Sequence, residues 1–342
     1  VTRLARDLLY GKRDDAGRAV GASLIFGTAL GVVAVVAAWW CYPHLVSEAA
    51  RRPDPELLCL AFASLLGMIG GAYSALFTAQ ATVRRVTLLA GITAVTGTAF
   101  HVAFLYTAGV PGQFYAPLAT GLTTSAAAIW LARDSGIRVR LRWDGDFARE
   151  AFRVGAASLI AGAFMQASLT TVRITLDHVG GAAHGTMLNG QYQAALTVGS
   201  RYFAVVTSGL GMYFFPRYAA AQGAAELETE IWSAASFVLR LAPPIVLGML
   251  AVRGPLIHLL YTDRIDGAVD ILGYQLAGDI AKSVAWVYAG PLVFRGDLRA
   301  FLITESIAAA SLTGLSVILI HAFGLVGSGM AYAATYLLYM FV

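Results

Sequence analysis

RAVGASLIFGTALGVVAVVAAWWC, residues 18–41, carries one charged side chain, Arg18, and it stands at the first position. A helix that crosses the hydrocarbon core of a bilayer needs about 20 mostly apolar residues. This stretch meets that requirement, and the same reading applied outward finds nine more: 57–80, 86–109, 114–132, 154–177, 188–216, 231–252, 270–294, 300–320 and 323–342. The loops between them are short, and none is large enough to fold as a separate domain. The expected fold class is therefore an all-α integral membrane protein of ten helices.

Composition points the same way. The 342 residues are 58% hydrophobic and 13% charged, whereas a soluble chain carries roughly 25% charged residues. A net charge of +4 would suggest nucleic acid in a soluble protein. Here the basic residues lie between apolar runs, so membrane topology accounts for them and no nucleic-acid partner is expected. The two cysteines, Cys41 and Cys59, flank a short polar loop without a CxxC pattern. They read as packing thiols, so no metal, redox site or cofactor is expected.

Lys and Arg set the orientation. With the N-terminal segment inside, the inner loops hold Arg3, Arg6, Lys12, Arg13, Arg18, Arg84, Arg85, Arg133, Arg138, Arg140, Arg142, Arg149, Arg153, Arg217, Arg295 and Arg299. The outer loops hold only Arg51, Arg52, Arg253 and Arg264. The basic inner loop, 134–153, separates four spans in 1–133 from six in 154–342. The chain opens in a basic stretch without Met and stops inside an apolar run. Four plus six is thus expected to be helices three to twelve of a twelve-helix, two-lobe transporter, the first two helices missing.

Charges within spans are costly, about 2.5–3.5 kcal/mol at a helix centre on insertion scales. The second half holds six: Arg173, Arg201, Arg240, Lys282, Asp279 and Glu305. They fall on stripes. Gln166, Thr170, Arg173 and Asp177 share one helix face, as do Asn189, Gln193, Thr197, Ser200 and Arg201 on the next helix. Gln275, Asp279, Lys282 and Trp286 repeat the i, i+4, i+7, i+11 spacing, and Ser233, Ser236 and Arg240 mark a fourth face before Pro243-Pro244, where a kink is expected. Such stripes line a water-filled cavity or pair across helices. Arg173, Arg201, Arg240 and Lys282 are the candidate substrate-binding cations, because arginine forks suit phosphate. Gln166, Thr170, Gln193 and Gln275 are candidate cavity-lining polar residues. Two alternatives stay open: Asp279 and Lys282 can neutralise one another, as can Arg173 and Asp177. Glu305 reads equally as an interfacial carboxylate, and His101 as a packed histidine.

From about residue 154 onward the chain resembles Wzx-type O-antigen flippases, in the superfamily that also holds MATE multidrug exporters and lipid II flippases. The resemblance lies in Gly190-Gln-Tyr-Gln-Ala194 with Ser200, Tyr202 and Pro216-Arg217, where the family more often has Tyr-Trp after the glycine. It lies more specifically in Gln275-Leu-Ala-Gly-Asp-Ile-Ala-Lys282 with Trp286, then in Phe301 and Thr304-Glu305. Arg3-Leu-Ala-Arg6 is similar to the loop after the family's second helix. The resemblance implies a MATE-like fold of two six-helix lobes around a cationic cavity in the bacterial inner membrane. It also implies a cargo of undecaprenyl-pyrophosphate-linked oligosaccharide, moved by alternating access from the cytoplasmic to the periplasmic leaflet. Membrane lipid and polysaccharide polymerase machinery are the implied partners. Asp279 and Glu305 are the candidates for binding a coupling proton or sodium ion.

Three rivals are weighed against this. A drug exporter of the superfamily is expected to have an acidic or aromatic cavity, not four cations against two acids. A lipid II flippase is separated poorly by these residues. A membrane polymerase or glycosyltransferase needs sizeable outer loops, and the longest here, 253–269, is short. With no Walker-type phosphate loop and no defensible catalytic constellation, the chain does not read as an enzyme.

Overall fold

Glycine-rich helices and tight turns build the molecule, as a computed structural model shows for residues 13–45, 54–80, 82–109, 111–137, 139–221 and 223–341. The expectations placed on Arg3, Arg6, Lys12, Arg51, Arg52 and Arg138 lie outside these residues, and so does the Cys41 side chain. Among the described residues there is no strand. The helices are α1 (Arg13–Leu45), α2 (Asp54–Ala79), α3 (Val83–Ala108), α4 (Gly112–Ala132), α5 (Gly145–Ala220), α6 (Ala224–Leu260), α7 (Gly267–Arg295), α8 (Leu298–Phe323) and α9 (Leu325–Tyr339). Residues at span ends apart, the ten expected spans fall on these helices, and among the described residues six helices are long and apolar enough to cross a membrane by length and hydropathy.

Two differences from the sequence reading concern α5. Residues 178–187 were expected to be a loop between two spans, yet only Gly181 leaves helical geometry there, at φ 61°. Gly180 explains how so short a reversal closes, since a Cβ there would meet the backbone of Gly185 at 2.7 Å. Residues 145–153, expected to be linker, are helical. Asp144 caps that start by accepting from the amides of Asp146 (3.1 Å) and Phe147 (3.0 Å). In α6, the helix continues through Pro243-Pro244 as well as Pro255; neighbouring helices make interior prolines tolerable in such bundles.

The chain divides into two compact units, 1–152 and 153–342. In the first, α2 packs against α1 and α4, and α3 against α4. Val20, Tyr73, Leu76, Phe77, Leu89, Ala128 and Leu131 form its core. Its basic loop folds back on the helices. The Arg140 amide donates to the Gly17 carbonyl at 3.2 Å, and Gly21 makes room because a Cβ would overlap the Arg140 carbonyl. Arg85 donates to the Asp134 carbonyl at 2.7 Å.

In the second unit α7 is central, packed by α6, α8 and α9. One core gathers Tyr192, Val246, Ile271, Leu272, Leu276 and Ile320; another gathers Phe214, Val238, Val284 and Val287. Many large apolar side chains, among them Leu159, Ile174, Leu247, Leu259 and Ile318, remain exposed. That is expected of a surface that meets acyl chains rather than water.

Candidate functional site

Small residues bring three helices of the second unit together. Gly199 on α5 sits against α7, where a Cβ would be 3.5 Å from Gln275 Oε1 and 3.9 Å from Asp279 Oδ2. Gly278 on α7 sits against α9, where a Cβ would be 2.9 Å from Ala333 Cα. That approach places Asp279, only 2% exposed, between two phenols. Tyr202 of α5 donates to its Oδ2 and Tyr332 of α9 to its Oδ1, both at 2.6 Å. These lengths are those of charge-assisted O–H···O bonds, the partners a buried carboxylate needs.

Lys282, one turn on, does not pair directly with Asp279 at ion-pair distance. Its Nζ donates to the Tyr332 hydroxyl at 3.1 Å. It also lies 4.6 Å from the ring of Phe203, 4.9 Å from Tyr336 and 5.5 Å from Tyr332, all within cation–π range. Tyr332 therefore relays between the two charges. Nearby, the Tyr339 hydroxyl donates to Glu305 Oε1 at 2.7 Å, giving that carboxylate a partner on α9.

Lys282 borders a cavity of ≈ 260 Å³. Met165 and Leu169 of the first arm of α5 and Leu312 of α8 supply apolar wall. The second arm supplies Gln193, Leu196, Thr197 and Ser200, and α9 supplies Tyr332 and Tyr336.

The expected residues divide into those the fold gathers here and those it does not. Gln193 and Lys282 line the cavity. Arg173 reaches it indirectly, donating to Gln193 Oε1, while Gln193 Nε2 donates to Thr197 Oγ1 at 3.3 Å. Among the described residues Arg173 makes no ion pair with Asp177 and donates instead to Gln193 on the facing arm. Gln166 and Thr170 are exposed and stand beside the cavity wall rather than in it, the inward positions being Met165 and Leu169. Gln275 is 1% exposed, wedged against Gly199 and off this cavity's wall, and among the described residues both its amide atoms lack a partner. Trp286 packs on Phe215, ring centroids 4.9 Å apart, away from the cavity. Arg201 and Arg240 are exposed and, among the described residues, make no hydrogen bond or ion pair. The tyrosines at 332, 336 and 339 were missed. Their signal was a repeat at i, i+4, i+7 on the last helix.

A family model described as polysaccharide biosynthesis protein matches residues 12–270. The lipid III flippase of Escherichia coli (strain K12) is 25% identical over 150 residues, 44% of this chain and 36% of that protein. The lipid III flippase of Shigella flexneri gives the same figures, so the match spans little more than a third of these relatives' length. Among solved structures, an outward-facing multidrug resistance MATE family transporter of the MOP superfamily superposes with a TM-score of 0.82 at 16% identity, over 99% of this chain and 79% of that one. A MOP superfamily transporter from Pyrococcus furiosus gives 0.81 at 15%, over 99% and 80%. At such identities the likeness is one of fold.

Proposed function

Because the chain belongs to the polysaccharide biosynthesis protein family, we propose that it is a flippase for polyprenyl-pyrophosphate-linked oligosaccharide. It carries the head group from the cytoplasmic to the periplasmic leaflet of a bacterial inner membrane by alternating access, while the polyprenyl tail stays in lipid. The observation that carries this reading is the pair of span arginines, Arg201 and Arg240, that the described residues leave unpartnered. An arginine without a protein acceptor inside a membrane span marks a substrate path, and its fork matches phosphate oxygens. Arg173, already oriented by Gln193, is the third member of the anion path. Polysaccharide polymerase machinery takes the product on the outer side.

The lipid III flippase relatives support a lipid-linked cargo. A drug-exporting role is less well supported, because drug cations and span arginines repel one another. For the Pyrococcus furiosus transporter, reverse polarity of the binding pocket suggests a different function, and a cationic path here fits such a divergence. Differential affinity of the cargo for two states drives the change. Asp279 and Glu305 are the acids available for a coupling proton or sodium ion.

The test is complementation in a strain lacking its own flippase. Arg201→Ala and Arg240→Ala are expected to abolish surface polysaccharide while the protein still inserts at wild-type levels. Polymer at wild-type levels from both variants would overturn the reading.

A further inference from the structure

The cavity beside Lys282 has a lining more specific than a phosphate path requires. We propose that it is a subsite for one N-acetylated amino sugar of the glycan, an inference that rests on the flippase reading above.

Size sets the first limit. Pockets for drug-sized ligands run about 300–1,000 Å³, so ≈ 260 Å³ admits one pyranose ring and not an oligosaccharide. Charge sets the second. Lys282 is the single cation on the wall, and Asp279 lies one turn away on the same helix, bound by two phenols. A diphosphate or a uronate seated here would add negative charge where one ammonium already faces a carboxylate. The occupant is neutral.

Hydrogen-bonding capacity then selects among neutral sugars. An ammonium has three N–H groups, and Tyr332 accepts from Lys282, so Lys282 keeps donors for a carbonyl oxygen. Ser200 commits its O–H to the Thr197 carbonyl at 3.1 Å, which leaves its oxygen as an acceptor for an N–H. Met165, Leu169 and Leu312 are an apolar seat for a methyl group, and Tyr336 adds aromatic wall. A donor, an acceptor and an apolar seat in one small space are the three needs of an acetamido group. A plain hexose would leave the apolar wall unfilled.

The full chain in detergent can be tested by saturation-transfer NMR with three probes: the methyl glycosides of N-acetylglucosamine, glucose and glucuronic acid. Binding of the first is expected to be tightest, with the other two weaker by about tenfold, as for one lost hydrogen bond of about 1.4 kcal/mol. Leu312→Trp, which fills the cavity, should abolish transfer to the acetamido methyl. Lys282→Met should weaken it by a similar factor. Equal binding of the glucoside, preference for the glucuronide, or unchanged binding in Leu312→Trp would overturn the subsite. The ranking of probes on the unsubstituted chain decides the matter even if a variant fails to fold. Inorganic pyrophosphate, measured on the same samples by calorimetry, separates the two claims. Its binding should be lost in the Arg201→Ala, Arg240→Ala double variant and kept in Leu312→Trp. No pyrophosphate binding alongside intact N-acetylglucosaminide binding would sink the flippase cargo and leave the subsite.

Discussion

Tyr332 shows how much a single hydroxyl can carry. It donates to Asp279 Oδ1 and accepts from Lys282 Nζ, and hydrogen bonds to charged groups contribute about 1.5–3 kcal/mol each. Tyr336, its neighbour one turn away, makes no hydrogen bond among the described residues although its ring also faces Lys282. Tyr332→Phe should therefore lower the melting temperature in detergent clearly, and Tyr336→Phe hardly at all. Equal shifts would contradict the relay. The charges at 279 and 282 were legible in the sequence because membrane spans seldom hold any. Their partners were not: spacing of three suggests mutual neutralisation, and the phenols come from positions 77 residues before and 53 after Asp279. Gln275 shows the same limit, since a stripe marks a helix face without telling whether a glycine opposite admits another helix to it.

At the scale of helices, close approach depends on particular glycines. Gly278→Leu would drive its side chain into Ala333 and Tyr332, and overpacking of this kind costs about 1–3 kcal/mol. It should lower thermal stability and disrupt the Lys282–Tyr332 contact together. Gly314 on α8 meets nothing within 4 Å, so Gly314→Ala should keep or raise the melting temperature, helix propensity favouring alanine by up to about 1 kcal/mol. A loss of stability in Gly314→Ala would show that glycine there serves packing after all. The helices themselves were legible because apolar length alone reports a span. The joining of two spans into α5 was not, as Gly180-Gly181 reads equally as a loop and as a one-residue reversal.

For the whole molecule, arginine placement predicts which end of each span faces the cytoplasm. In a background with Cys41→Ser and Cys59→Ser, Arg142→Cys should react with a membrane-impermeant maleimide only in inside-out vesicles. Thr262→Cys, exposed beyond the end of α6, should react only in intact spheroplasts. The reverse pattern would invert the orientation and with it the proposed direction of transport. The one-residue turn at Gly181 also bears on how the chain is made. Arms tied so closely are expected to enter lipid as a pair rather than leave the insertion machinery singly and find one another later. Arg173, which alone would oppose insertion by up to about 2.5–3.5 kcal/mol, then arrives already bonded to Gln193 of the companion arm. The hairpin would thus shelter during synthesis an arginine that the proposed cargo meets only afterwards.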